Sequence, residues 1–351
     1  MSSLLEQEIA EQPEVAARLL DRVRPDLAAY AGLLRSRGSR GLVTVARGSS
    51  AHAAHLGRTL VEVRLGLASG EATPSSTTAY GRTPAWDDRA VVAVSQSGAS
   101  PDVVAVVTAA RAAGRPTLAV TNDPASPLAR AAEAVLDLGC SEERSVAATK
   151  TYTASALALA LLVVALDDGR GLAEAQAVPD ALAAAVTGTA RLEELEEAAA
   201  LLAAHDRAVV VGRGYSAATA RETALKLTEL TGTLAMPFTP ADLLHGPVAA
   251  VGPEVPVLLL PGAGPAAAGV RDLLPELARR GAPVLQVVSG PEEPGLPTTI
   301  EVRLPAAAGV ADWLEPVVGV VPGQLLAWRT AERRGVEVDH PGGLTKVTLT
   351  H

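Results

Sequence analysis

Glu222, Lys226 and Glu229 lie in the stretch Arg221-Glu222-Thr223-Ala224-Leu225-Lys226-Leu227-Thr228-Glu229 at spacings i, i+4 and i+7. On an α-helix that spacing projects all three from one face. A carboxylate beside a lysine stays ionised. The same stripe is also the ordinary appearance of a solvated face laced with ion pairs, and spacing alone favours that plainer reading. A second group is Ser95-Gln96-Ser97-Gly98-Ala99-Ser100-Pro101-Asp102. Hydroxyls at 95, 97 and 100 and the Gln96 amide surround Gly98, and Pro101 suits the first turn of a following helix. Such a neutral, donor-rich cup at a helix start suits a phosphate monoester, although Ser and Gly also simply make turns. Arg47-Gly48-Ser49-Ser50 offers a similar turn. His245 stands at a helix-breaking Gly-Pro, and Lys346 lies in the uncharged run Gly342-Gly343-Leu344-Thr345-Lys346-Val347-Thr348. Both residue types in such places are ordinarily structural or solvated. His52 and His55 are three apart with no third ligand in view, so no metal site is expected.

These turns need a scaffold that presents them at strand ends, and an internal repeat supplies one. Residues 43–51 (VTVARGSSA) align with 209–217 (VVVGRGYSA) at an offset of 166. The same offset carries Val91–Gly98 onto Val257–Gly264, and within one residue Thr117–Val120 onto Val284–Val287. It also brings Val135–Leu138 near Glu301–Leu304 and Leu157–Gly169 onto Gly323–Gly335. Recurrence at a domain-sized period indicates two homologous lobes. Within each, continuous apolar runs alternate with Ala/Leu-rich helical stretches, the pattern of strands buried on both faces of a parallel sheet. The expected class is α/β, with two doubly wound parallel-sheet lobes. The expected segments are N-terminal helices over 1–38, a first lobe over 39–170, a helical connector over 171–204, a second lobe over 205–335 and a tail over 336–351. In such sheets ligands bind at the carboxyl ends of strands. The second lobe has Pro261-Gly262-Ala263-Gly264 where the first has its hydroxyl cup, so only one lobe keeps the polar turn.

Composition removes other classes. Lys plus Arg number 30 against 39 Asp plus Glu, a net charge of −9 over 351 residues, and no basic run exists to displace counterions from nucleic acid. Apolar residues make up 48% of the chain, which argues against disorder. The one cysteine, Cys140, can form neither an internal disulfide nor a thiolate cluster. The acidic N-terminus is unlike an export signal. The apolar run Ala154–Leu166 is too short for a membrane span and reads as a buried helix. A cytoplasmic chain with no membrane or nucleic-acid partner is expected. Gly212-Arg213-Gly214 lacks a third glycine, so no dinucleotide site is expected, nor any cofactor.

The combination SQSGxSxD, ERSVAATKTYT (Glu143 to Thr153), ETALKLTEL (Glu222 to Leu230), LHGP (Leu244 to Pro247) and LTKVT (Leu344 to Thr348), in this order, resembles the tandem sugar isomerase (SIS) domain family. That family includes the isomerase half of glutamine:fructose-6-phosphate aminotransferase, type II glucosamine-6-phosphate deaminases and fructoselysine-6-phosphate deglycases. The resemblance spans nearly the whole chain. It implies that Ser49, Ser50, Ser95, Gln96, Ser97 and Ser100 hold a sugar phosphate. It implies that Glu229 is the base moving a proton between C1 and C2, with Glu222 and Lys226 as charged companions. His245 corresponds to the histidine credited with ring opening, given by the neighbouring subunit of a homodimer with a shared active site, and Lys346 to the tail lysine that closes over the sugar. The expected function is a sugar-phosphate isomerase/deaminase converting glucosamine 6-phosphate to fructose 6-phosphate and ammonia. The alternatives are deglycation of a phosphorylated sugar-amine conjugate and a non-catalytic sugar-phosphate sensor. Residue 2 is Ser and only the helical 1–38 precede the first lobe, so glutamine-driven synthesis by this chain alone is not expected. Arg47 replaces the synthase's cysteine, as in the deaminase branch, while Asp242 and the apolar stretch Thr231–Pro240 depart from the pattern beside the site.

Overall fold

The computed structural model describes residues 3–189, 193–288, 300–303 and 310–346, the side chains of 301–303 excepted. Leu304 of the repeat, residues 190–192 of the connector, and Val347 and Thr348 of the tail motif lie outside the described residues. The protein is α/β with two five-stranded sheets, every pairing in them parallel. The first holds β1 (Gly41–Ala46), β2 (Ala68–Glu71), β3 (Ala90–Val94), β4 (Thr117–Thr121) and β5 (Ala134–Asp137) in the order β2-β1-β3-β4-β5. The second holds β6 (Arg207–Gly212), β7 (Leu234–Phe238), β8 (Val257–Leu260), β9 (Val284–Val288) and β10 (Ile300–Arg303) in the order β10-β9-β8-β6-β7. Read from the β7 edge, this is the order of the first.

Central strands are largely apolar because both faces are covered, with Thr44, Thr117, Thr121 and Gln286 the buried polar exceptions. Every residue of β1, β3, β4 and β8 is buried. The edge strands differ. β2 reads ASGE and is half exposed, and β7 carries Pro237, which an edge tolerates because one side of the strand needs no donor. Each lobe has its own core: Val43, Val91, Val106 and Leu128 in one, Val209, Val257, Leu273 and Leu277 in the other.

The chain threads back and forth between two compact units. One comprises Glu14–Glu143, Lys150–Gln176 and the tail from Thr345; the other comprises the N-terminus through Pro13, Arg144–Thr149 and Ala177–Leu344. In the first unit the Lys150–Leu166 helix is buried at all 17 positions, with polar residues confined to its first turns and an apolar run from Ala156 to Leu166. Among the described residues no helix is long and apolar enough to cross a membrane. This helix packs on the Gly48–Leu65 helix, where a Cβ at Gly57 would come within 3.2 Å of Leu159. The equivalent crossing in the second unit joins the Ser216–Thr231 and Val320–Arg333 helices. There the gap is on the other partner: the Thr223 side chain fills the space a Cβ would need at Gly323. Thr223 is the 166-offset counterpart of Gly57, so the close approach was kept while its glycine changed helices.

Candidate active site

The turns after β1 and β3 lie side by side because Ala46 and Val94, the last residues of those strands, are register partners. After β3, Gly98 takes φ +57° and its missing Cβ leaves room for the Ser126 hydroxyl, so a side chain here would be both strained and obstructed. The turn is held by Gly98 N–H donating to Ser95 Oγ at 3.2 Å and Ala99 N–H to Ser97 Oγ at 3.3 Å. The Gln96 carbonyl accepts from Thr121 Oγ1 and the Asn122 amide, and the Gly98 carbonyl from the Leu128 amide. Pro101 occupies the first turn of the Pro101–Ala112 helix, and Ser100, its N-cap residue, makes no side-chain cap hydrogen bond. The Ser100 hydroxyl is therefore not consumed by the helix end. Ser49, Ser50, Gln96, Ser97 and Ser100 are all partly accessible, with Ser95 buried beneath. All six residues of the expected cup therefore line two adjacent turns at the carboxyl edge of one sheet.

Glu143, the first residue of ERSVAATKTYT, has a partner that its local sequence does not show. Its carboxylate is fully buried, accepting from Thr151 Oγ1 at 2.6 Å and the Thr151 amide at 3.1 Å, where it caps the start of the Lys150–Leu166 helix. Lys346 Nζ lies 2.9 Å from Glu143 Oε2, so the tail lysine is a partner of a buried carboxylate, not a solvated end. Lys150 Nζ donates to the Glu142 carbonyl at 2.8 Å. An acid preceding a Thr-Lys-Thr helix start was the available signal; its meaning depended on a lysine more than two hundred residues away.

In the second unit the Ser216–Thr231 helix carries the charged stripe, and the solvated-face reading is wrong. Glu222 and Lys226 are fully buried and only Glu229 reaches the surface, its side chain 26% exposed. Lys226 Nζ lies 3.4 Å from Glu222 Oε1 and 2.5 Å from Glu229 Oε2. An ammonium taken out of water requires such compensation. Charge spacing along one helix carries no information about the elements packed on it, here among others the Val320–Arg333 helix, whose Gly323 meets Thr223. At the 166 offset, the first lobe has Leu56, Leu60 and Val63, with Leu56 and Leu60 fully buried and Val63 exposed. The same places on the same helix are filled by hydrocarbon in one lobe and by ions in the other.

His245 closes the Pro240–Leu244 helix and precedes Gly246 at φ +139°. It is exposed and forms no hydrogen bond or ion pair with Glu222, Lys226 or Glu229. Asp242 is exposed and engaged in the helix cap, its Oδ2 accepting from Thr239 Oγ1 at 2.7 Å. Phe238 packs on the core of the lobe, whereas Met236 is exposed. Cys140 is buried and burial pushes its thiol well above the ordinary range, which removes it as a nucleophile. Among the described residues no group of three or more His, Cys, Asp or Glu side chains is placed to hold a metal ion, and the His55 ring Nδ1 lies 3.2 Å from Arg58 Nη2.

One lobe carries paired hydroxyl turns and its twin a buried acid-lysine-acid stripe. The SIS domain model matches residues 37–165 and again 201–310. The chain belongs to the SIS domain family. Over 362 aligned residues covering 97% of the chain it is 35% identical to a glutamine–fructose-6-phosphate aminotransferase (isomerizing) of Symbiobacterium thermophilum. The chain spans 58% of the length of that relative. A solved structure provisionally named as a phosphosugar isomerase, from Silicibacter pomeroyi DSS-3, matches with a TM-score of 0.84 at 32% identity, covering 96% of this chain and 99% of that one. A glucosamine-6-phosphate deaminase from Thermotoga maritima shares the fold, with a TM-score of 0.75 at 20% identity over 99% of this chain and 100% of that one. The two SIS lobes are thus related in fold to proteins of differing reaction, and the chemistry has to be argued from the residues.

Proposed function

We propose that the chain is a sugar-phosphate isomerase acting on a phosphorylated amino sugar, transferring a proton between C1 and C2 and releasing ammonia. The observation that carries this reading is the pair of equivalent helices. Since Leu56 and Leu60 satisfy the fold in one lobe, Glu222 and Lys226 are not required by the fold in the other, and buried ions with no structural necessity point to chemistry. The first lobe's turns bind the phosphate dianion through hydroxyls and backbone N–H groups, fixing the sugar by a part remote from the reacting carbons. Glu229, the accessible end of the stripe, takes the proton, and Lys226 holds its carboxylate in place. In the deamination, ring opening gives the free aldehyde of the amino sugar, Glu229 moves the C2 proton to C1, and water displaces ammonia from the resulting ketose imine. Glucosamine 6-phosphate would yield fructose 6-phosphate. His245, exposed and uncommitted among the described residues, is assigned to ring opening in a second copy of the chain, and Lys346 to contact with the open sugar.

Deglycation of a phosphorylated sugar-amine conjugate is the second reading. It is favoured by a small cleft lined by Arg221, Phe238, Thr239 and Asp242, which offers both signs of charge to a bulkier amine. Ammonia and fructose 6-phosphate formation from glucosamine 6-phosphate, compared with turnover of a fructosamine 6-phosphate carrying an amino acid, separates the two. Ammonia release by the wild type and its loss in Glu229→Gln support deamination. Turnover of the conjugate alone supports deglycation, and turnover of neither rejects both.

A further inference from the structure

The cup has one feature that its hydroxyls do not explain. Arg47 precedes the Gly48–Leu65 helix in the turn after β1, and its Nε and Nη2 both approach Asp102 Oδ2 at 2.7 Å. Asp102 belongs to the other turn, after β3, and its side chain is only 3% exposed; its Oδ1 accepts from the Val103 amide at 2.8 Å. A buried carboxylate thus holds one edge of a guanidinium whose side chain is 51% exposed. Arg47 is the only cation within 47–50 and 95–102. A guanidinium has five donors in a fixed plane, so binding by one edge leaves the others free and sets their direction.

The second lobe supplies the internal control. At the 166 offset Arg47 becomes Arg213 and Asp102 becomes Ala268. The arginine is retained and its carboxylate is gone. Arg213 forms no ion pair among the described residues, and its guanidinium instead fills the space a Cβ would need at Gly269. The hydroxyls at 95, 97 and 100 become Pro261, Ala263 and Ala266 in that lobe. The held arginine and the hydroxyl cup occur together or not at all.

We propose that Arg47, aimed by the buried Asp102, is a phosphate-binding residue of the first-lobe cup and sets its preference for a dianionic phosphate. The proposal rests on the phosphate-cup reading above. A charge-assisted, planar pair of N–H donors recognises phosphate with more strength and direction than neutral hydroxyls do. Asp102 acts through Arg47 as a positioning residue, and because it offsets the arginine's charge the empty cup is not left with an uncompensated cation.

Isothermal titration of fructose 6-phosphate and of inorganic phosphate into the full chain tests this, with thermal melting of each variant run alongside. Arg47→Gln is expected to weaken both ligands by about 10-fold or more, and Asp102→Asn, which leaves the guanidinium present but unheld, by a smaller factor. Unchanged phosphate affinity in Arg47→Gln, with only the melting temperature lowered, reduces the pair to a tie between two turns and overturns the proposal. If Arg47→Gln does not fold, Asp102→Asn decides in the same way. Ser97→Ala separates this proposal from the reading beneath it. Affinity lost in Ser97→Ala but not in Arg47→Gln keeps the cup and removes Arg47 from it, whereas no binding by the wild-type chain removes both.

Discussion

The two SIS lobes are the same sheet built twice, and they have divided the polar residues between them. The first lobe keeps Ser95, Ser97 and Ser100 at its turn and puts Leu56, Leu60 and Val63 along its first helix; the second has Pro261, Ala263 and Ala266 at the turn and Glu222, Lys226 and Glu229 along the helix. Burial follows position and not polarity: Leu56 and Glu222 are both fully buried, as are Leu60 and Lys226. The fold asks only that these places be filled. Where they are filled by ions, the proposed proton transfer supplies a reason that packing does not. The second lobe's vacated turn is closed from within: Glu315 Oε2 lies 3.1 Å from where a Cβ on Gly262 would sit, and the Asp312 carboxylate occupies the equivalent space at Gly264.

The largest effect that would sharpen this contrast comes from breaking the stripe one residue at a time. Lys226→Ala leaves Glu222 buried without its cation and is expected to cost about 3–5 kcal/mol in chemical denaturation. The double variant Glu222→Leu with Lys226→Leu, which copies Leu56 and Leu60, is expected to recover most of that stability while losing activity. A double variant as unstable as the single one would show that the lobes are not equivalent here. The next effect concerns Glu315, whose carboxyl is pushed up to about 7 by burial alone. Between about 4.5 and 7 the folded chain keeps a proton that the unfolded chain has released. Stability therefore falls as pH rises through that window, by about 3 kcal/mol in total, and the penalty is complete above pH 7. Glu315→Gln removes this dependence, so its stability curve should separate upward from the wild type between pH 5 and pH 8. Parallel curves would contradict the burial argument. A smaller difference is expected between turn glycines. Gly98→Ala meets both a positive φ and the Ser126 hydroxyl, whereas Gly262→Ala meets a positive φ and contacts no closer than 3.1 Å. Melting should show Gly98→Ala costing more, with Gly262→Ala near the 1–2 kcal/mol of a left-handed alanine, roughly.

Much of this was legible in the sequence because the repeat is a long-range signal carried by short apolar runs. β1, β3, β4 and β5 recur as β6, β8, β9 and β10 at an offset of 166 or 167, and the apolar run Ala154–Leu166 stood out as most of a buried helix. The edge pair β2 and β7 did not, since ASGE has no apolar run and LAMPF contains a proline. The hydroxyl turns were readable because a glycine turn is local. The burial of Glu222 and Lys226, the role of Glu143 and the hold of Asp102 on Arg47 were not, because each depends on a neighbour brought in by the fold: a covering helix, a tail lysine, an adjacent strand.

The most direct test of the account is hydrogen exchange at the reacting carbons. With glucosamine 6-phosphate or fructose 6-phosphate in D2O, the wild-type chain is expected to wash deuterium into C1 or C2, followed by NMR. Glu229→Gln is expected to slow that exchange by about 100-fold or more while still binding the sugar phosphate. Exchange in Glu229→Gln at the wild-type rate would contradict the assignment of the base, and binding without exchange in the wild type would make the chain a sugar-phosphate receptor and not an isomerase.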